Sequence, residues 1–170
     1  MKTTRLAIML AAAMTVFNAV PGPALADFHT SKEAGIDQIA AQFRNICVDT
    51  YPGFVGFEDR VAAEGFFPRG DGTFSDGVHN TIFQLWDGPK HLTCTVFYYV
   101  SSPDIRGVTE RMSLAALRDV GIKNVSYEGN DQRVMMVLDA FSKGIFQHRV
   151  MRNQDGLVEF RMMIAVPKGE

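Results

Sequence analysis

The sequence predicts an α+β fold, in which an antiparallel sheet of about four to six strands is covered on one face by two or three helices and held by one disulfide. Three observations predict it. Apolar residues recur at helical spacing early in the chain, and runs rich in Val, Phe, Tyr and Thr follow in pairs around short turns. The helices and strands are partly segregated, which favours an antiparallel sheet. The chain also contains two cysteines.

The first 26 residues have the pattern of a secretory signal peptide. Lys2 and Arg5 precede an apolar stretch over residues 6–20, and Ala24-Leu25-Ala26 fits an A-x-A cleavage site. About 15 apolar residues are too few to span a bilayer comfortably, which argues against a membrane anchor. We therefore expect a signal peptide over 1–26, one globular domain over 27–170, and a periplasmic or extracellular product with no membrane span after cleavage.

The composition is typical of a folded globular domain, with 46% hydrophobic and 21% charged residues in a chain of 170. Without the two basic residues of the signal peptide, 15 basic and 19 acidic residues remain, a net charge of −4. This sign disfavours nucleic acid as a partner. Three arginines fall near one another along the last predicted strands, but two acidic residues lie among them and favour a mixed solvated face. These residues are Arg149, Arg152, Asp155, Glu159 and Arg161.

Cys47 and Cys94 are predicted to form a disulfide, because an exported protein with an even number of cysteines meets an oxidising compartment. The alternative is two separate buried thiols. We expect no metal site, because His91 is the only His or Cys within four residues of either cysteine, and on a strand it points away from the face of Cys94. We also expect no cofactor, since the mature chain is long enough to fold around its own apolar core.

Three segments have the apolar spacing of amphipathic helices, and each ends at a glycine or proline signal. They run from Ile36 to near Asp49, from Phe57 to Glu64, and from Ser102 to Gly121. A capping-box pair, Thr30 and Glu33, precedes the first segment. Ser102, followed by Pro103, has the form of an N-cap for the third.

Four runs are predicted to form two antiparallel hairpins. The first hairpin consists of Thr81–Trp86 and Leu92–Val100, and the second of Ile145–Arg152 and Leu157–Val166. Residues 132–141 match both a helix and one face of a strand, and we favour the strand. Residues 66–78 have no periodicity, and their glycines and aspartates predict a loop.

A two-residue turn at Asp155-Gly156 predicts the register of the second hairpin. It places Arg152 opposite Glu159 and Met151 opposite Phe160, which gives an ion pair and an apolar pair. The alternative is a four-residue loop, which sets Arg152 opposite Leu157. We favour the two-residue turn because both pairs then form.

The same register assigns the two faces of these strands. His148 falls on the solvent face, together with Arg152 and Glu159. The opposite face is the predicted core face. On the last strand it consists of Val158, Phe160, Met162, Ile164 and Val166.

Local enzyme signatures are absent from the sequence, which has no nucleophile elbow, zinc-protease helix motif, phosphate-binding loop or dinucleotide fingerprint. The catalytic candidates are therefore acid–base pairs of a histidine with a nearby aspartate. They are His79 with Asp76, in the polar loop, and His91 with Asp87, around the first hairpin turn.

The sequence favours an exported accessory or binding protein without catalytic activity, whose partner is a protein or a small molecule. An exposed apolar patch would serve such a function, and Phe66, Phe67 and Trp86 are the candidate residues. The alternative is a small periplasmic hydrolase that uses one of the two His–Asp pairs as a general base.

Overall fold

The computed structural model describes residues 35–101, 104–118, 120, 124–128, 133–137, 144–154 and 157–169. The predicted signal peptide and the capping-box pair Thr30 and Glu33 lie outside these residues. Three helices are present in the described chain, and α1 continues into a π-helical segment, Arg44–Val48. The helices are α1 Ile36–Phe43, α2 Phe57–Ala63 and α3 Ile105–Ala116. None of the helices in the described residues is long and apolar enough to cross a membrane.

The helices follow the predicted segments, with differences at their ends. α1 begins after Gly35, and α2 ends where Gly65 adopts a left-handed backbone with φ +85°. The N-cap of α3 is Asp104, whose carboxylate accepts a hydrogen bond of 2.9 Å from the Gly107 N–H. The assignment of this cap to Ser102, which lies outside the described residues, is therefore wrong.

Eight described strands form one antiparallel sheet in the order β1-β2-β3-β4-β8-β7-β6-β5. Six of them have five to eleven residues, and β1 and β2 add two short strands at one edge. The strands are β1 Phe67–Pro68, β2 Thr73–Ser75, β3 Ile82–Asp87, β4 His91–Val100, β5 Asn124–Glu128, β6 Arg133–Val137, β7 Ile145–Gln154 and β8 Leu157–Pro167.

The strand predictions are confirmed for both hairpins, and β6 confirms the choice of a strand within residues 132–141. The interpretation of residues 66–78 as a loop is wrong in part, because β1 and β2 lie in it. Strands of two and three residues are too short to show an alternating pattern in a sequence. Strand β5 was also not predicted from the sequence.

All three helices pack against one face of the sheet, which confirms the predicted α+β class. The rings of Phe43 on α1 and Phe146 on β7 lie 6.1 Å apart, and the rings of Phe57 on α2 and Phe74 on β2 lie 5.7 Å apart. On β8 the predicted core face is confirmed, with four residues at most 1% exposed and the last half-buried. They are Val158, Phe160, Met162, Ile164 and Val166.

The predicted disulfide between Cys47 and Cys94 is confirmed. It joins the π-helical segment after α1 to the middle of β4, with a Cα–Cα distance of 5.6 Å. Neither cysteine is exposed to solvent. The bond therefore connects the helical layer to the sheet from inside the core.

The hairpin of β7 and β8 confirms part of the predicted register. Gln154 pairs with Leu157, so two residues connect the strands, and Arg152 pairs with Glu159. Phe160, however, pairs with Val150, because the register shifts by one residue between Val150 and Arg152. The predicted pairing of Met151 with Phe160 is therefore wrong.

The extra residue at Met151 is a β-bulge that inverts the alternation of β7. His148 consequently pairs with Met162 and lies on the core face, where it is 0% exposed. Its predicted position on the solvent face is wrong. A one-residue shift moves every side chain beyond it to the other face of the sheet.

Candidate functional site

The sheet has a second face, on which none of the described helices packs. We call it the outer face, and define it by the residues of β3, β4, β7 and β8 that alternate with the core residues. Its described residues include Ile82, Gln84, Trp86, Thr93, Thr95, Phe97, Tyr99, Ile145, Gln147, Arg149, Glu159, Arg161, Met163 and Ala165. The short edge strands add Phe67, Thr73 and Ser75.

One row of directly opposed residues crosses the outer face from the β1 edge to β7. Residues opposite each other in an antiparallel pair share a face, so the side chains of this row are neighbours. The row is apolar or small over β1 to β4 and positively charged over β8 and β7. In order it consists of Phe67, Ser75, Ile82, Phe97, Arg161 and Arg149.

Two large aromatic side chains of the outer face are exposed. Phe67 is 68% exposed on β1, and Trp86 is 52% exposed at the end of β3. The third aromatic candidate, Phe66, is only 2% exposed and packs edge-to-face on Phe83, with ring centroids 5.0 Å apart. Phe66 therefore belongs to the core, as expected for neighbouring residues that point to opposite sides of an extended chain.

Trp86 is held at the turn between β3 and β4 by its contact with Gly88. A Cβ atom built on Gly88 would lie 2.5 Å from Cζ3 of the Trp86 ring, so the indole lies against the glycine backbone. At the same turn Lys168 forms an ion pair with Asp87. The Trp86 ring therefore packs against the Gly88 backbone at one end of the outer face.

Asp76 and His79, one of the two predicted acid–base pairs, are in contact. Asp76 Oδ2 lies 2.6 Å from His79 Nδ1, and the two side chains are 18% and 26% exposed. Asp76 Oδ1 accepts hydrogen bonds of 3.0 Å from the backbone N–H groups of Val78 and His79. Sequence proximity alone could predict this pair, because an Asx turn brings a residue three positions later back onto the carboxylate.

The Asp76 contact gives the His79 ring the proton arrangement of a general base. A carboxylate accepts, so Nδ1 carries a proton, and in the neutral ring Nε2 keeps its lone pair. Burial by itself would raise the pKa of Asp76, but hydrogen bonds from the His79 backbone, the His79 ring and the Val78 backbone outweigh it and leave that pKa lowered. Asp76 is thus ionised at neutral pH and orients His79.

His91 and Asp87, the other predicted pair, are not joined by a hydrogen bond in the described part of the chain. His91 is exposed, and its backbone carbonyl accepts a 3.0 Å hydrogen bond from the Gly88 N–H. Asp87 instead pairs with Lys168. His91 and Asp87 therefore make contacts that stabilise the turn between β3 and β4, and not a contact with each other.

Arg149 and Arg161 are brought directly opposite each other at the centre of the outer face. The Arg161 guanidinium donates a 2.7 Å hydrogen bond to Oε1 of Gln147, which is 7% exposed. Arg149 Nε lies 3.0 Å from the sulfur of Met151, and no ion pair joins Arg149 to a carboxylate of the described residues. The sequence grouped these arginines but did not predict that two of them face each other.

His148 is the centre of a buried polar network that the sequence did not reveal. Its Nδ1 lies 3.2 Å from the Thr109 carbonyl oxygen and 3.0 Å from Ser113 Oγ on α3. The Ser113 hydroxyl itself donates to that carbonyl, so Nδ1 must carry the ring proton. His148 Nε2 then accepts from the Tyr98 hydroxyl at 2.5 Å.

The network is fully buried, which shifts both of its titratable groups. Tyr98, Ser113 and His148 are each 0% exposed, and Met112 Sδ lies 3.0 Å from the Tyr98 oxygen. Burial lowers the pKa of His148 to about 4 and raises that of Tyr98 well above its ordinary value. Both are neutral at pH 7, and the network connects α3 to β4 and β7.

Within the described ranges, no three or more His, Cys, Asp or Glu side chains are arranged to hold a metal ion. Comparisons of the chain with protein-family models, with curated proteins and with solved structures found no match. The residues of this chain are therefore the basis for a functional assignment.

Proposed function

We propose that this protein is an exported, disulfide-bonded accessory or binding protein without catalytic activity, which contacts its partner through the outer face near the β1 edge. The observation that carries the proposal is the exposure of Phe67 and Trp86 on that one face, at 68% and 52%. Aromatic residues are enriched at interfaces and often supply much of the binding energy. The partner is a protein or a small molecule.

Export is supported by the signal-peptide pattern of residues 1–26 and by the buried disulfide. Disulfides persist in oxidising compartments, so the bond fits a periplasmic or extracellular protein. The net charge of −4 expected after cleavage argues against nucleic acid as the partner.

The two exposed aromatic residues lie on the same face of the sheet as two further apolar residues. Ile82 and Phe97, both half-buried, continue the row that begins at Phe67, and Trp86 lies on the same strand and face as Ile82. Single exposed apolar residues are common on protein surfaces, whereas two large exposed aromatic side chains on one face, with half-buried apolar residues beside them, indicate a contact site. The presence of both exposed aromatic side chains on one face is what favours a binding function.

The double substitution Phe67→Ser and Trp86→Ser is expected to abolish capture of the partner without unfolding the protein, because both side chains are exposed. The mature protein is used to capture partners from its own compartment. The amount of one partner recovered per molecule of the protein is then measured. Leu114→Ser is the matched control, since Leu114 is 63% exposed on α3, away from the outer face. Equal recovery by all three proteins, or by none, would contradict the proposal.

A second candidate function is hydrolysis, favoured by the 2.6 Å contact of Asp76 with His79. The oriented ring presents Nε2, which makes no hydrogen bond to the described residues, to an incoming water molecule. In such a reaction Nε2 takes a proton from water as its oxygen attacks an ester carbonyl carbon, the C=O π pair moves onto the carbonyl oxygen, and the ionised Asp76 stabilises the imidazolium. The carbonyl then re-forms as the C–O bond to the leaving group breaks, and the imidazolium returns its proton to that leaving oxygen.

The two functions differ in their response to loss of the His79 ring. A hydrolase should cleave the probe ester p-nitrophenyl acetate, and His79→Gln should lower that rate at least about a hundredfold, the usual contribution of a positioned base. His91→Gln is the matched control because His91 is exposed and has no carboxylate partner in the described chain. A rate that is the same in wild type and both variants would contradict hydrolysis by this pair and leave the binding function.

A further inference from the structure

We propose that Met151 is a site of oxidation to methionine sulfoxide, and that Arg149 directs the oxygen onto one of the two lone pairs of its sulfur. The inference goes beyond the proposed binding function and does not depend on it. Two observations carry it together. The β-bulge presents the Met151 side chain to solvent, and Arg149 Nε lies 3.0 Å from its sulfur. The oxidant is a peroxide.

Met151 is exposed because of its place in the strand. Val150 pairs with Phe160 and Arg152 pairs with Glu159, so Met151 is the extra residue of the bulge and has no partner on β8. Its side chain is 39% exposed. Oxidation of a thioether follows its exposure, so the bulge makes this sulfur accessible to a dissolved oxidant.

The sulfur atoms of Met112 and Met162 are protected by contrast. Both residues are 0% exposed, and Met112 Sδ lies 3.0 Å from the Tyr98 hydroxyl oxygen inside the core. An oxygen atom added to either sulfur would place a polar group among apolar side chains, which costs stability. At Met151 the added oxygen stays in contact with water, so the fold tolerates the modification.

Arg149 gives the reaction at Met151 its direction. The Arg149 Nε–H donates to the sulfur, and a thioether sulfur has two lone pairs. The lone pair that accepts this hydrogen bond is covered by the guanidinium group, which stays charged. The second lone pair has no donor among the described residues and takes the oxygen. The two lone pairs give opposite configurations at sulfur, so one epimer of the sulfoxide predominates.

The reaction is a two-electron transfer of oxygen. The free lone pair of the Met151 sulfur attacks one oxygen of hydrogen peroxide and forms the S–O bond. The O–O bond breaks as its electron pair moves to the departing oxygen, which takes the proton of the transferred oxygen and leaves as water. The thioether is oxidised to a sulfoxide, and the peroxide is reduced to water.

The first measurement compares oxidation rates in the mature, disulfide-bonded protein. It consists of timed exposure to hydrogen peroxide, followed by peptide mapping with mass spectrometry. Met151 should be oxidised at least about tenfold faster than Met112 and Met162, because these two side chains are fully buried. A rate at Met151 no higher than at Met112 and Met162 would overturn the inference.

The second measurement gives the ratio of the two sulfoxide epimers at Met151. Two sulfoxide reductases, each specific for one epimer, are applied to an oxidised peptide in which Met151 is the only methionine. We expect one epimer in about fivefold excess after oxidation of the folded protein, the factor that one hydrogen bond of ordinary strength gives. Wild type oxidised in urea should give nearly equal amounts, because unfolding removes the contact with Arg149.

The role of Arg149 is tested by the Arg149→Leu variant. It should give nearly equal amounts of the two epimers in the folded protein, because leucine has no N–H to cover a lone pair. Arg111→Leu, which removes an exposed charge from α3, is the matched control and should keep the wild-type excess. If Arg149→Leu does not fold, the comparison of folded and urea-unfolded wild type decides. Equal epimers in folded wild type, or an unchanged excess in folded Arg149→Leu, would contradict the directing role of Arg149.

Discussion

Reduction of the Cys47–Cys94 disulfide is expected to lower the free energy of unfolding by about 4 kcal/mol. The bond closes a sequence separation of 47 residues, and in the chain-entropy model a loop of that size restricts the unfolded chain by this amount. The native state loses little, because both sulfur atoms stay buried between the helical layer and β4. Most of the effect therefore comes from a freer unfolded state.

Denaturant unfolding of the oxidised and reduced protein measures this effect with no change of sequence. We expect a lower midpoint on reduction, because the stability loss is a large fraction of the 5–15 kcal/mol typical of a domain. The Cys47→Ala and Cys94→Ala double variant should unfold near the reduced protein, apart from the packing lost with the sulfur atoms. An unchanged midpoint on reduction would show that the bond adds no stability.

The disulfide was predictable because its cause is visible in a sequence. An even cysteine count after a signal-peptide pattern indicates oxidation, and two cysteines leave only one pairing. The core face of β8 was predictable for a similar reason, since alternation over eleven residues is a strong signal. In a long strand with one buried face, the alternation of apolar and polar residues is enough to identify that face.

The bulge at Met151 was not predictable from the pattern. Nothing in the pattern of apolar and polar residues on either side of Met151 marks an extra residue. The sequence on its own therefore favours one register through the whole hairpin. The shift has a physical reason in the structure. It places Phe146 and His148 in the core, where Phe146 packs on Phe43 and His148 bonds to α3, and leaves Met151 39% exposed.

Part of the candidate site was predicted and part was not. Asp76 and His79 lie three residues apart, so a local turn was enough to join them. The opposition of Arg149 and Arg161 depends on the register beyond the bulge, which the sequence analysis had displaced by one residue. A predicted contact between distant strands is wrong whenever the predicted register is wrong, whereas a contact within a local turn does not depend on the register.

Replacing His148 with leucine is expected to destabilise the protein by about 2–4 kcal/mol at pH 7. The substitution leaves the Tyr98 hydroxyl with only the weak acceptor Met112 Sδ and removes the ring N–H from the Thr109 carbonyl, both at full burial. Tyr98→Phe should cost less, because only one hydrogen bond is lost. The double variant should be more stable than the sum of the two losses predicts, since the two side chains share that bond.

The same histidine should make stability depend on pH between about 6.5 and 4. The folded pKa is lowered to about 4 from 6.5, so in this window the unfolded chain binds a proton that the folded protein excludes. Stability therefore falls as pH falls, by about 3 kcal/mol over the window, and this contribution is fully present above the unfolded pKa. The lowered pKa values of Asp71 and Asp76 act at lower pH, below 3.8.

Denaturant midpoints measured across this window separate the His148 contribution from the other histidines. Wild type and His91→Gln should lose stability in parallel as pH falls, because His91 is exposed in the folded protein. His148→Leu should start lower at pH 7 and lose about 3 kcal/mol less by pH 4, since it has no imidazole to protonate. Parallel curves for all three proteins would mean that His148 is protonated in the folded state, which the Thr109 and Tyr98 contacts of its two ring nitrogens oppose.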